Sequence, residues 1–134
     1  IPSCIYTDPE IAHVGLSPAD ADRRAIRIRT FTQEFTEVDR AVIDSETEGF
    51  VKIHVAADRD RILGATIVAS HASEMISELT LAIGKGVGLG AIAEVIHPYP
   101  TQAEAIRKLG DAYNRTRLTP LVRRLFAAWM SWQR

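Results

Sequence analysis

The pattern of apolar residues predicts an α+β fold of two layers: an antiparallel meander sheet covered by helices, with a C-terminal amphipathic helix appended. Three observations carry this. Strand-like runs come first, with Ile26 and Ile28 alternating with Arg27 and Arg29, then Phe50 to Ala56, then the continuous apolar run Ile62 to Ala69. Helical spacing follows in Met75, Ile76, Leu79, Ala82 and Ile83. Last, Leu118, Leu121, Val122, Leu125, Phe126, Trp129 and Met130 fall at i, i+3, i+4, i+7, i+8, i+11 and i+12, one helical stripe. Strands that precede helices indicate segregated layers, because the sheet's buried face must be covered by what comes after it.

Taken in order, Cys4 to Leu16 reads as an extended segment bent at Asp8-Pro9, since Pro9 cannot donate to a ladder. Ser17-Pro18 offers an N-cap and a first-turn proline for a short charged helix through Ala19 to Arg24. Ile26 to Phe35 is a strand. The polar bridge Thr36 to Arg40 leads to Ala41-Val42-Ile43, which is expected to pair as a hairpin with Phe50 to Ala56 across the turn Asp44 to Gly49. In the latter strand Val51, Ile53 and Val55 share an apolar face, and Phe50, Lys52 and His54 a mixed one. Ile62 to Ala69 reads as a central strand in which Gly64 marks a bulge or a close approach. These make three or four strands.

A helix over Ser73 to Ile83 ends at Gly84-Lys85-Gly86, and a second, shorter one over Leu89 to Val95 delivers the chain to His97. The glycines at 84, 86, 88 and 90 alternate after a helix and lack a following Gly-Lys-Ser or Gly-Lys-Thr, so they do not read as a phosphate loop. Thr119 and Pro120 read as N-cap and N1 of the tail helix.

A length of 134 residues with 46% hydrophobic content suits one globular core. The chain opens on Ile1 and enters a strand-like segment at once, so it reads as a piece of something longer. No signal-peptide pattern or run of about 20 apolar residues is present, and the cytoplasm is the default location. The single Cys4 excludes an internal disulfide and reads as a buried strand position. The net charge of -1 is unevenly placed: residues 107 to 134 hold seven Lys or Arg against one acidic residue, and residues 1 to 106 hold nine against sixteen. An acidic body argues against nucleic-acid binding. His13, His54, His71 and His97 lie too far apart to read as a metal site; His54 reads as a sheet-face residue and His71 as a strand-to-helix junction.

The stretch with most chemistry is His97-Pro98-Tyr99-Pro100-Thr101-Gln102-Ala103-Glu104. Each proline restricts the residue before it to extended geometry, so His97 and Tyr99 are presented rigidly. Thr101 and Glu104 have the spacing of a capping box, the hydroxyl accepting from the Glu104 amide and the carboxylate from that of Thr101. Two readings stand side by side: a well-capped helix after a stiff loop, or an imidazole or phenol and a carboxylate aimed at a reacting group. A nucleophile built on Cys4 and His97 has no orienting group or oxyanion loop beside it.

Pro100-Thr101 with Glu104, together with Tyr6-Thr7-Asp8-Pro9-Glu10-Ile11-Ala12-His13-Val14-Gly15 and Gly64-Ala65-Thr66-Ile67-Val68-Ala69, resembles the C-terminal dimerisation domain of the FAD-dependent pyridine nucleotide-disulfide oxidoreductases. The resemblance covers residues 1 to 112 and leaves 113 to 134 as a basic amphipathic extension. It implies a homodimer in which this loop faces the flavin and the redox-active cysteine pair of the other subunit, with FAD and NAD(P)H held by upstream domains and none by this piece, which is inert alone. Disulfide-reducing relatives carry a histidine directly before Pro-Thr, oriented by the glutamate. Here Tyr99 stands there, Glu104 matches the orienting glutamate and His97 an outer histidine.

A phenol with a pKa near 10 is a poor base at neutral pH. Tyrosine at this position resembles the mercuric reductases, yet the tail has no vicinal cysteine pair. The resemblance thus implies a mercuric-reductase-like member acting on a sulfur group or metal-thiolate, with Tyr99, Glu104 and His97 catalytic, Tyr99 and Pro100 facing the flavin, and no metal held. A stand-alone dimerisation or adaptor module without redox chemistry is the competing reading. An upstream Gly-x-Gly-x-x-Gly with a Cys-x4-Cys would decide for the enzyme. For the tail, packing on its own domain or on a dimer partner is expected ahead of membrane-surface contact by residues 118 to 134.

Overall fold

The computed structural model describes residues 1–117 and 120–133; the expected cap Thr119, the stripe residue Leu118 and the basic Arg134 lie outside the described residues. Five antiparallel strands form one sheet in the order β1-β2-β5-β4-β3, with β1 Ser3–Ile5, β2 Glu10–Gly15, β3 Ile28–Glu34, β4 Phe50–Ala56 and β5 Ile62–Ala69. The α+β class is as the apolar pattern predicts. The meander is β3-β4-β5, and the hairpin β1-β2 adds itself to the free edge of β5, which makes β5 central. Pro9 sits in the bend between β1 and β2, where its missing donor costs nothing.

One expectation is corrected. Asp39–Ile43 is a short helix, α2, and not a strand, so β4 pairs with β3 and β5 and not with Ala41 to Ile43. Ala41 is fully buried while Val42 and Ile43 are exposed, and the turn of helix is held by backbone bonds from Val42 to Val38 and Asp44 to Arg40. Three consecutive apolar residues do not separate strand from helix, and burial of one residue in three is what a helix does with them.

Helix α1, Pro18–Arg23, starts as expected at Ser17, whose hydroxyl accepts from the Asp20 amide while its own amide donates to the Asp20 carboxylate. Helix α3, Ala72–Lys85, begins at His71, which makes no side-chain cap. The cap comes from the sheet: Glu10 of β2 accepts from the Ser73 amide at 2.9 Å and from its hydroxyl at 2.7 Å. These bonds, the backbone one foremost, hold the Glu10 carboxyl below its usual range. The helix stops at Gly86, which takes a left-handed φ of 68°.

Helices α4, Leu89–Ile92, and α5, Glu104–Thr116, complete the covering layer. The apolar face of β4 (Val51, Ile53, Val55) meets Leu79 of α3 and Ile106 and Leu109 of α5 in one core. Burial of a residue such as Ile53 or Leu79, both at zero exposure, is worth ~1.5–3 kcal/mol. Helix α6, Pro120–Trp132, is different: Leu121, Leu125, Phe126, Trp129, Met130 and Trp132 are all exposed. Of the two packing partners expected for this stripe, its own domain and a dimer partner, the first does not cover these six residues.

Candidate functional site

The loop from His97 to Glu104 is fixed by side-chain contacts, several of them to other elements of the fold. The imidazole of His97 is 7% exposed and lies between two oxygens: Nδ1 is 2.9 Å from the Val95 carbonyl and Nε2 2.7 Å from Oε1 of Glu78, on α3. Each ring nitrogen therefore faces an oxygen. Because α3 is itself tied to β2 through Glu10, the position of His97 is inherited from the sheet.

Tyr99 is the opposite case, with 68% of its surface exposed. Its hydroxyl donates to Oδ2 of Asp39 at 2.6 Å, on the first residue of α2. That hydrogen bond, the negative charge of Asp39, partial burial and the more distant Glu104 together push the phenol above its usual value of 10.0. The Tyr99-Pro100 peptide bond is cis. Pro100 is half-buried.

The capping box expected at Thr101 does not form. The Thr101 hydroxyl donates back to the Pro98 carbonyl at 2.7 Å, and only its carbonyl meets the Glu104 amide, at 3.3 Å. Ala103 is the N-cap of α5 and offers no side-chain bond. The loop backbone is shaped by its prolines, so Thr101 is oriented toward the turn it closes and not toward the helix it precedes. Gln102, nearly buried, instead moors the loop to the turn before β4 by donating to Glu46 at 3.1 Å and to the end of β5 by donating to Ser70 at 3.0 Å.

Glu104 opens α5 at 7% exposure. One carboxylate oxygen accepts from Arg107 at 3.0 Å, and Arg107 also reaches Asp111 at 2.6 Å. The other oxygen, Oε2, is buried and has no hydrogen-bond partner. Native buried acceptors are nearly always satisfied, so an orphan carboxylate oxygen marks a place where a donor from outside the chain fits. Glu104, Tyr99, His97 and Arg107 line one groove of about 410 Å³ with Val95 and Ile96, and Ile96 is 95% exposed at its rim.

The structure thus brings Tyr99 and Glu104 to one groove without bonding them to each other, and turns the imidazole of His97 inward. Asp39, Glu78 and Arg107, which hold these side chains, carry no signal in the sequence beyond being acidic or basic. Among the described residues no three His, Cys, Asp or Glu side chains converge as a metal site would require.

The model of the pyridine nucleotide-disulphide oxidoreductase dimerisation domain matches residues 1–109 of this chain. The chain belongs to that family. Among similar proteins, dihydrolipoyl dehydrogenase of Chlamydia muridarum is 42% identical over 104 residues, which are 78% of this chain and 22% of that one. Dihydrolipoamide dehydrogenase of Chaetomium thermophilum is 42% identical over 112 residues, 84% of this chain and 22% of that one. The crystal structure of LpdA from Mycobacterium tuberculosis shares the fold with a TM-score of 0.79 at 26% identity, over 84% of this chain and 25% of LpdA. The dimerisation domain described here therefore spans about a quarter of the length of the relatives it matches. Helix α6 lies beyond the matched residues.

Proposed function

We propose that this dimerisation domain belongs to a homodimeric, cytoplasmic, FAD-dependent NAD(P)H oxidoreductase of the disulfide-reductase type, in which residues 1–112 pair with a second copy and 113–134 form an extension. In this reading the loop His97-Pro98-Tyr99-Pro100-Thr101-x-x-Glu104 faces the flavin and redox cysteines of the partner subunit, while FAD and NAD(P)H are bound by upstream domains of the parent chain. The observation that carries it is the pairing of an exposed phenol with a buried, unpartnered Glu104 oxygen in one groove.

The residues fit a group presented from outside. The exposed edge formed by Ile96, Pro98 and Tyr99 can lie against a flat ring system, and nothing in the groove needs to unfold to admit one. The flavin, when bound by the partner, supplies the two-electron transfer between NAD(P)H and the cysteine pair. What this chain supplies is orientation and a neutral phenol held by Asp39. With its pKa raised, Tyr99 keeps its proton at neutral pH, and because that proton is donated to Asp39, the phenol oxygen is left to accept a hydrogen bond from a thiol or to ligate a metal-thiolate weakly, without taking a proton from a thiol. Glu104 receives a donor from the substrate or partner at Oε2, and His97 stiffens the rim of the groove.

The test uses the full-length parent enzyme. Flavin absorbance and NAD(P)H turnover are measured with candidate disulfides, quinones and mercuric ion, for wild type and for Tyr99→Phe. Reduced turnover of the substrate that wild type prefers is the expected result; an unchanged rate with that substrate would remove Tyr99 from the chemistry. The 134-residue chain alone should bind no flavin and oxidise no NAD(P)H.

A further inference from the structure

We propose that α6 is an interfacial helix that seats the dimerisation domain on an anionic lipid surface. It lies outside the residues that the family model matches. At about 100° per residue, Leu121 to Met130 cover roughly 180° of the helix surface, and Arg123 and Arg124 fall on the two sides of that arc. Leu121 is 67% exposed and Trp132 84% exposed, with Leu125, Phe126, Trp129 and Met130 more than half exposed between them.

Charge selects the occupant. From Ala112 to the last residue the sequence holds five arginines and no acidic residue. Two copies of α6 packed stripe to stripe would face Arg123 and Arg124 with no carboxylate of their own, whereas lipid phosphates complement them. Both tryptophans of the chain, Trp129 and Trp132, are on this helix, and indole is the side chain that favours the boundary between acyl chains and headgroups. The helix spans 13 residues, about 20 Å, against the roughly 30 Å of a hydrocarbon core. No described helix is long and apolar enough to cross a membrane, so α6 lies along the surface, with Arg123 and Arg124 extended to the headgroups.

The experiment is vesicle flotation of the whole chain, read together with tryptophan fluorescence. Vesicles of phosphatidylglycerol and phosphatidylcholine are compared with phosphatidylcholine alone, at low and high salt. Wild type is expected to float with the anionic vesicles and shift its emission to the blue, with both effects reduced by salt. Arg123→Gln with Arg124→Gln is expected to weaken partitioning about 25-fold, roughly fivefold per arginine. Phe126→Ser with Leu125→Ser, exposed positions that leave the core and both tryptophans in place, is expected to abolish the blue shift; far-ultraviolet circular dichroism confirms the fold of each variant. Absence of flotation by wild type, or flotation that neither pair of substitutions changes, overturns the proposal. So does an α6-dependent rise in mass without lipid and no binding with it, which would assign the stripe to a second copy.

Discussion

The hydroxyl of Tyr99 donates to Asp39 at 2.6 Å, across 60 residues of sequence, and this bond rather than Glu104 sets where the phenol points. The side chain is aimed by α2, while the carboxylate that shares its groove is carried by α5. Two elements far apart in sequence therefore determine the geometry of the loop.

Replacing the acceptor follows directly from that relationship. Asp39 is the largest cause of the raised Tyr99 pKa, through its hydrogen bond first and its charge second. Asp39→Asn should lower the phenol toward its usual value, because the amide keeps a weaker acceptor and loses the charge. Ultraviolet titration of the tyrosinate band, with Tyr99→Phe to subtract Tyr6 and Tyr113, checks it. A Tyr99 titration that does not move downward in Asp39→Asn would assign the shift to other groups.

Asp60 explains two of the four alternating glycines, Gly88 and Gly90. Its carboxylate accepts from the amides of Leu89 at 2.8 Å and Gly90 at 3.0 Å, and a Cβ at Gly88 would collide with that same carboxylate. Asp60→Ala leaves the start of α4 without its acceptor and should cost ~1–3 kcal/mol in urea unfolding. Gly88→Ala should destabilise the fold by displacing the same group. If Asp60→Ala left the unfolding midpoint unchanged, the contact would be incidental.

Much of the fold is legible in the sequence where the cause is local. Ser17-Pro18, the Gly86 stop and the central place of Ile62–Ala69 all follow from a residue and its near neighbours. Asp39–Ile43 is not legible, because a five-residue helix has too few positions to show a period and Val42 and Ile43 favour strand. The candidate site divides in the same way. Tyr99 and Glu104 can be singled out from the motif, but the vacancy at Glu104 Oε2 and the roles of Asp39 and Glu78 depend on contacts made at long sequence separation. The capping box at Thr101 fails since its spacing is necessary and the intervening backbone decides.

Gly64 is where two irregularities coincide. Ladder pairing of β4 with β5 shifts between His54 and Val55, so Leu63 is the extra residue, and a Cβ on Gly64 would strike the carbonyl of Leu16. Since the obstacle is backbone on the neighbouring segment, Gly64→Ala should destabilise by ~1–3 kcal/mol, with no flexible side chain able to give way. Thermal unfolding measures it, and a midpoint equal to wild type would mean that the Leu16 segment moves freely.

The capping box at α1 gives a pH dependence with a defined sign. Asp20 is lowered from 3.8 to about 2, first by the Ser17 amide at 3.0 Å, then by the Ser17 hydroxyl at 2.8 Å, and then by its bond with Arg23. A carboxyl whose folded pKa lies below its unfolded value favours the folded state when ionised. Its contribution is complete above about pH 4 and disappears as pH falls through about 2. Ser17→Ala removes the hydroxyl and keeps the amide, so the Asp20 pKa should rise only part of the way toward 3.8. Carboxyl carbon NMR titration resolves the two positions. An Asp20 pKa unchanged by Ser17→Ala would assign the whole shift to the backbone and Arg23, and loss of the α1 start would be seen instead as an Asp20 that titrates at its ordinary value.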